Sequence, residues 1–215
     1  AVRSGHRVFG CEGHRLYDRK DLLFSFVVKR KFADDGAEAL ATVKIDRESD
    51  VPPLDQIYGQ VKKYVYSVRK SDKNDSTTDK MNLLLIMPRP ILRFAMRVLR
   101  WLEYHGRYPK ALMYDDPYYS SVFLSNLGSI KMSADYHHLA NWGTNSIFVI
   151  IGEMKPTPFY AADGSVSVRE ALKLSLTIDE RIADGFYFAN SIKILKKLFE
   201  CPELIERPLN EPIEL

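Results

Sequence analysis

The run Thr177-Ile178-Asp179-Glu180-Arg181-Ile182-Ala183-Asp184-Gly185 sets three carboxylates around one guanidinium, between a strand-like stretch and an amphipathic helix. Such a turn offers charge-assisted hydrogen bonds. A carboxylate in it accepts a proton near neutral pH only if burial lifts its pKa well above the reference value of ~4.3. The adjacent histidines His137 and His138 carry the side chain best matched to proton transfer in that range. Arg89, Arg93, Arg97 and Arg100 recur at helical spacing opposite Leu92, Ala95, Leu99 and Leu102. They form either a solvated face or a contact for an anionic ligand, an acidic carrier protein or a membrane surface. Cys11 and Cys201 lack C-x-x-C spacing and read as an ordinary thiol and a packing residue. His105, before Gly106, reads as a partner of a helix C-terminal dipole. Tyr114, Tyr118 and Tyr119 around Asp115-Asp116-Pro117 read as a packed corner, and no carboxylate pair or histidine spacing suggests a metal.

These residues need elements to hold them. Residues 1–20 show no hydrophobic period and read as an extended arm. Leu22 to Lys31 and Ala39 to Ile45, joined by Ala33-Asp34-Asp35-Gly36, read as a hairpin. A helix begins near Ser49 or Asp50, before Pro52-Pro53, with Leu54, Ile57, Tyr58, Val61, Val65 and Val68 on its apolar face. Ser71 to Lys80 reads as a surface loop. Past Pro88 and Pro90 a second helix spans about Ile91 to His105, ended by Gly106. Strands are expected at Ser120 to Leu124, Asn145 to Ile151, Thr157 to Tyr160 and Ser167 to Ile178, with Ala162-Asp163-Gly164 as a hairpin turn. A last helix covers Gly185 to Phe199, its buried stripe Phe188, Ile192, Leu195 and Phe199, and Pro202 stops it.

At 215 residues and 46% hydrophobic content the chain can bury a core of its own, so it reads as one domain over residues 1–215. A net charge of +3 does not imply a nucleic-acid partner. Two scattered cysteines, no signal-like start and no apolar run of ~18 residues point to a soluble protein of the cytoplasm without a membrane span. No G-x-G-x-x-G or P-loop string marks a nucleotide site.

Three stretches, in order, carry a family resemblance. Phe123-Leu124-Ser125-Asn126-Leu127-Gly128-Ser129 is similar to the F-T-I-S-N-L-G segment in the acyltransferase core of 2-oxoacid dehydrogenase complexes, a family sharing its fold with chloramphenicol acetyltransferase. Asn145 to Gly152 resembles the strand that follows. Asp179 to Gly185 resembles the family's D-H-R-x-x-D-G turn, and the ending L-F-E-C-P-E-L resembles its L-x-x-P-E-L. The N-terminal half matches only as a strand followed by a helix. Two departures stand out: Glu180 occupies the place of the general-base histidine, and only Arg107 to Ser120 replaces a longer stretch that walls the family's binding channel.

The resemblance implies a chloramphenicol acetyltransferase-like α/β fold, a mainly antiparallel mixed sheet flanked by helices on one side, assembled as a homotrimer. It implies acyl transfer from a coenzyme A or carrier-protein thioester to a thiol, hydroxyl or amine, at a site shared between subunits. Ser125 corresponds to the oxyanion donor. Asn126, Asp179, Arg181, Asp184 and Gly185 correspond to residues that shape the site, with Arg181 and Asp184 held by ion pairing and backbone hydrogen bonds. Glu180 is then a retuned base or an orienting carboxylate. His137 or His138 would supply the imidazole, since adjacent side chains of an extended chain face opposite ways and one meets the pocket in either register. The missing histidine and shortened channel equally fit an inactive trimeric scaffold or regulatory relative. With no lipoyl domain or Ala-Pro linker, the sequence reads as free-standing rather than as part of a large complex.

Overall fold

Alternation of apolar side chains builds two hairpins, and a short central strand joins them. In the computed structural model, residues 9–12, 15–29, 38–70, 86–209 and 211 are described. Strands β3 (Leu22–Lys29), β4 (Glu38–Ile45), β5 (Val122–Asn126), β6 (Ile147–Tyr160) and β7 (Val166–Ile178) form one sheet in the order β4-β3-β5-β6-β7. Its outer ladders, β3/β4 and β6/β7, are antiparallel; the inner two, β3/β5 and β5/β6, are parallel. Within the segment read as an extended arm, β1 (Phe9–Glu12) and β2 (Arg15–Asp18) fold back on each other as a two-stranded ladder. The expected turn at 33–36 and the loop at 71–80 lie outside the described residues.

Phe24, Phe26 and Val28 of β3 share a face with Ala39, Ala41 and Val43 of β4, and helix α1 (Pro53–Lys70) covers it with Val61, Tyr64, Val65 and Val68. Burying each Phe or Val there contributes roughly 1.5–3 kcal/mol. The Tyr64 hydroxyl donates to the Leu40 carbonyl at 2.6 Å, fixing the helix on the hairpin. The apolar face expected for α1 is covered only along its second half, because Leu54 and Tyr58 stay exposed. On the other face Phe123, Phe148, Ile150 and Ala134 pack with Val27, Leu40, Leu127 and Leu139.

Helix α2 (Arg89–Tyr104) ends where Gly106 takes φ of 68°, its N–H on Glu103 O and that of Arg107 on Leu102 O, each at 2.8 Å. A short α3 (Lys110–Asp115) follows. In α4 (Gly185–Glu200) the buried residue is Ile194, whereas Phe199, expected in the stripe, is 59% exposed. The helix therefore presents a face rotated from the one its Phe spacing suggests.

Strand β6 runs unbroken through Pro156 and Pro158, where two separate strands were expected. The two prolines stand at alternate positions, so both missing N–H groups fall on the same edge of the strand, away from β7. Register slips between Ile151 and Met154, and there three backbones meet closely. A β carbon on Gly128 would stand 2.4 Å from Gly152 O, and one on Gly152 2.5 Å from Ala134 N. Glycine at both positions is what lets the segment after β5 lie against the bulge.

Candidate active site

Ser125 sits on β5 level with Ile150 of β6, which is in turn level with Ser175 of β7. Its hydroxyl makes no hydrogen bond among the described residues. Asn126 caps the following 3-10 turn, its side-chain oxygen accepting the Ser129 N–H at 3.2 Å while the Ser129 hydroxyl donates to Asn126 O at 2.8 Å. Lys131 then takes a left-handed conformation with φ of 59°.

The chain next crosses the sheet as a strap tied at three points. Glu153 N–H donates to Met132 O at 2.9 Å, the Ser175 hydroxyl to Ala134 O at 2.8 Å, and the Thr177 hydroxyl to His137 O at 2.5 Å. The His137 ring lies flat on Phe148, centroids 3.9 Å apart and planes 7° apart, and Phe148 stacks on Phe123 at 4.9 Å. Phe123 and Ser125 are alternate residues of one strand and share a face. His137 therefore lies on the Ser125 face, about 7 Å back along the strand direction at ~3.3 Å per residue. His138 does not turn to the opposite side as alternation predicts; its ring stacks on His137 at 5.2 Å and is exposed. The strap is no strand, so the period of two does not govern it. The Nδ1 of His137 lies 2.6 Å from the His138 carbonyl. A carbonyl only accepts, so in neutral His137 the proton resides on Nδ1 and the lone pair on Nε2.

The turn Asp179 to Gly185 is at the far end of β7. Asp179 is four residues past Ser175, so the turn begins about 13 Å along the strand from the level of Ser125 and two strands across. Asp179 N–H hooks to Ser146 O at 2.9 Å. The buried Asp179 carboxylate takes the Arg181 backbone N–H at 3.0 Å, Nε at 2.8 Å and the terminal nitrogen at 2.7 Å. Burial pushes this carboxyl up, but the hydrogen bonds and charge of Arg181 outweigh it and hold the group below the usual carboxylate range. Asp184 is not paired with Arg181; it caps α4 through the Tyr187 N–H at 2.9 Å. Glu180 is exposed and bonds to none of the described residues. The turn and Ser125 do not meet within this chain.

A polar corner at the end of the sheet where β3, β5 and β6 begin was missed in the sequence. Arg19 donates to Tyr119 O at 2.7 Å and to both oxygens of Thr144, while the Tyr119 hydroxyl donates to buried Glu103, which also takes the Gly143 N–H at 3.2 Å. A cavity of about 330 Å³ opens here, lined by Arg19, Lys20, Glu103, Tyr108, Tyr114 and Tyr119 among others. Burial pulls the Arg19 pKa down to about 10, and burial pushes Asp116 up although the Tyr118 and Trp142 N–H groups bond it. The tyrosine cluster around Asp116 was the signal available; Arg19, placed in the arm, gave none. His105 bonds the Trp101 carbonyl at 2.7 Å, as its helix-end position suggests. Among the described residues no group of histidines, cysteines and carboxylates is arranged to hold a metal, and no helix is long and apolar enough to cross a membrane.

Residues 109–206 match the family model for the catalytic domain of the 2-oxoacid dehydrogenases acyltransferase. A probable dihydrolipoamide acetyltransferase from Listeria monocytogenes 4b F2365 is similar over 89% of this chain and 61% of its own, with 14% identity and a TM-score of 0.54. The dihydrolipoamide acetyltransferase of Azotobacter vinelandii matches 93% of this chain and 63% of its own at 15% identity and TM-score 0.47. A truncated catalytic core of the 2-oxoacid dehydrogenase multienzyme complex from Thermoplasma acidophilum matches 90% and 64% at 17% identity and TM-score 0.44. The chain thus spans less than two thirds of the length of these structures. No curated protein sequence matches it. The fold is that of the acetyltransferase core, and the sequence resemblance lies in residues 109–206.

Proposed function

Taking residues 109–206 as acyltransferase catalytic-domain sequence on that fold, we propose that the protein transfers an acyl group from a coenzyme A or carrier-bound thioester to a thiol, hydroxyl or amine. The observation that carries this reading is the shared face of Ser125 and His137: a hydroxyl unbonded among the described residues, and an imidazole whose Nε2 holds a lone pair. In the proposed reaction the acceptor attacks the thioester carbonyl as His137 Nε2 takes its proton, the Ser125 O–H donates to the oxygen as it gains charge, and collapse breaks the C–S bond, the leaving thiolate taking the proton back from the imidazolium. The Asp179 to Gly185 turn, too far from Ser125 in its own chain, reaches it from a second copy in a homotrimer, bringing the Glu180 carboxylate near the imidazolium that forms on His137. The exposed apolar residues of the β6/β7 ribbon, among them Tyr160 and Val168, support such an assembly.

Turnover of short acyl-coenzyme A thioesters, with oligomeric mass recorded in the same buffer, tests the reading. Ser125→Ala should lower kcat about 10²–10³-fold and His137→Gln by at least 10²-fold, with little change for His138→Gln. Equal activity in Ser125→Ala and wild type sinks the proposal. One observation favours an inactive scaffold instead: the turn carries the solvent-exposed Glu180 where the resembling family has an imidazole. A trimer that neither binds nor turns over coenzyme A thioesters leaves a carrier-bound substrate or the scaffold, and shifts the balance toward the scaffold.

A further inference from the structure

Helix α2 carries more apolar surface than the fold covers. At about 100° per residue its side chains fall into three sectors. Leu92, Ala95, Met96, Leu99 and Leu102 turn inward and are half-buried. Ile91, Phe94, Val98 and Trp101 occupy an arc of about 80° that is open to solvent, at 52%, 67%, 39% and 53% exposure. Arg89, Arg93, Arg97 and Arg100 fill the adjoining arc. All four are exposed, and none has a carboxylate partner among the described residues. The helix has one carboxylate, Glu103, and it is turned inward onto Tyr119 and Gly143, so it offsets none of them.

Stacking like charges one turn apart weakens a helix, and no described carboxylate offsets these four, so the arrangement suits an anionic counterpart. A second copy laid antiparallel on this face about a two-fold axis would set arginines against arginines. An aqueous face would leave the apolar arc unsatisfied. A surface that is apolar inside and anionic at its edge satisfies both arcs at once. Trp101 stands on the border between the arcs and Tyr104 among the arginines, the level at which amphipathic rings settle between hydrocarbon and headgroups. At sixteen residues the helix is about 24 Å long, and it carries four cations, so it lies on a bilayer rather than through one.

We propose that α2 docks the protein on an anionic lipid surface, its Ile91, Phe94, Val98 and Trp101 arc entering the headgroup boundary and its arginines pairing with lipid phosphates. The proposal is independent of the acyl-transfer reading.

Flotation of the whole protein with phosphatidylcholine vesicles, and with vesicles of phosphatidylcholine and phosphatidylglycerol at 3:1, tests it, with light-scattering mass measured in parallel. Wild type should float with the anionic vesicles and not with the neutral ones, and 0.5 M salt should weaken the binding. The double variant Arg93→Ser/Arg97→Ser should bind at least tenfold more weakly, and Phe94→Glu should remain in solution. Both variants change exposed side chains, so unchanged circular dichroism certifies the fold. Failure of wild type to float with anionic vesicles overturns the proposal. So does equal binding by Phe94→Glu, or a self-associating wild type that ignores vesicles while Phe94→Glu is monomeric; that last result makes the face a contact between copies.

Discussion

The β3/β4 and β6/β7 hairpins are both antiparallel ladders with apolar side chains, yet they are buried very differently. Ala39, Ala41 and Val43 are sealed under α1, whereas Met154, Tyr160, Val166 and Val168 stand in solvent. Strand pairing is satisfied in both. What differs is a covering layer, and a two-stranded ribbon without one is marginal in water. The lesson is that this chain covers the β3/β4 ladder itself and leaves the outer end of the β6/β7 ribbon in solvent.

Breaking the covered half should cost most. Phe26→Ala, which removes a ring packed against Phe24 and Tyr64, should destabilise the protein by about 3–5 kcal/mol in urea unfolding. Gly152→Ala should cost roughly 2–4 kcal/mol by the same measurement, because the new carbon meets backbone rather than a side chain that can move.

Asp179→Asn should cost about 1–2 kcal/mol, discounted because its Arg181 partner is 66% exposed. Its pH signature is distinct. A carboxyl held low in the folded state stabilises fully above its unfolded pKa and loses that contribution as pH falls through the folded value, so Asp179→Asn should flatten the acid limb of a stability profile. Asp116 runs the other way: burial raises it, so stability is lost as pH climbs from its unfolded toward its folded value, and Asp116→Asn should remove that loss.

The smallest effects sharpen the contrast. Val168→Ala on the ribbon and Gly185→Ala at the start of α4 should each lie within about 0.5 kcal/mol for the isolated chain. A β carbon on Gly185 meets nothing within 4 Å. A loss that grows with protein concentration would locate the missing cover in a second copy.

Much of this was legible where local chemistry decides. Pro52-Pro53 and the Gly106 stop framed two helices, and Asp163-Gly164 set the ribbon's turn, with Gly164 at φ of 82°. The S-N-L-G and D-E-R-x-x-D-G strings placed residues 109–206 in their family pattern. Hidden from the sequence was everything set by distant neighbours. Pro156 and Pro158 suggested a break, but both fall on an edge without a partner among the described strands. His137 and His138 suggested alternation, but hydroxyls of Ser175 and Thr177 hold that segment off any ladder. The ion pairing and backbone bonding that the resemblance implied for Arg181 and Asp184 go to partners that the turn string does not name: Asp179 takes the guanidinium, and Asp184 takes the Tyr187 N–H.

Tyr119 ties together segments far apart in the chain. Its carbonyl holds Arg19 across 100 residues, and Arg19 reaches on to Thr144 across 125. Its hydroxyl fastens the end of α2 through Glu103. Loops of that length close slowly, and they gain nothing until the strands between them are paired. A corner tied over such separations is expected to consolidate late in folding, after which buried Tyr119 and the Tyr108 ring stacked on it close it.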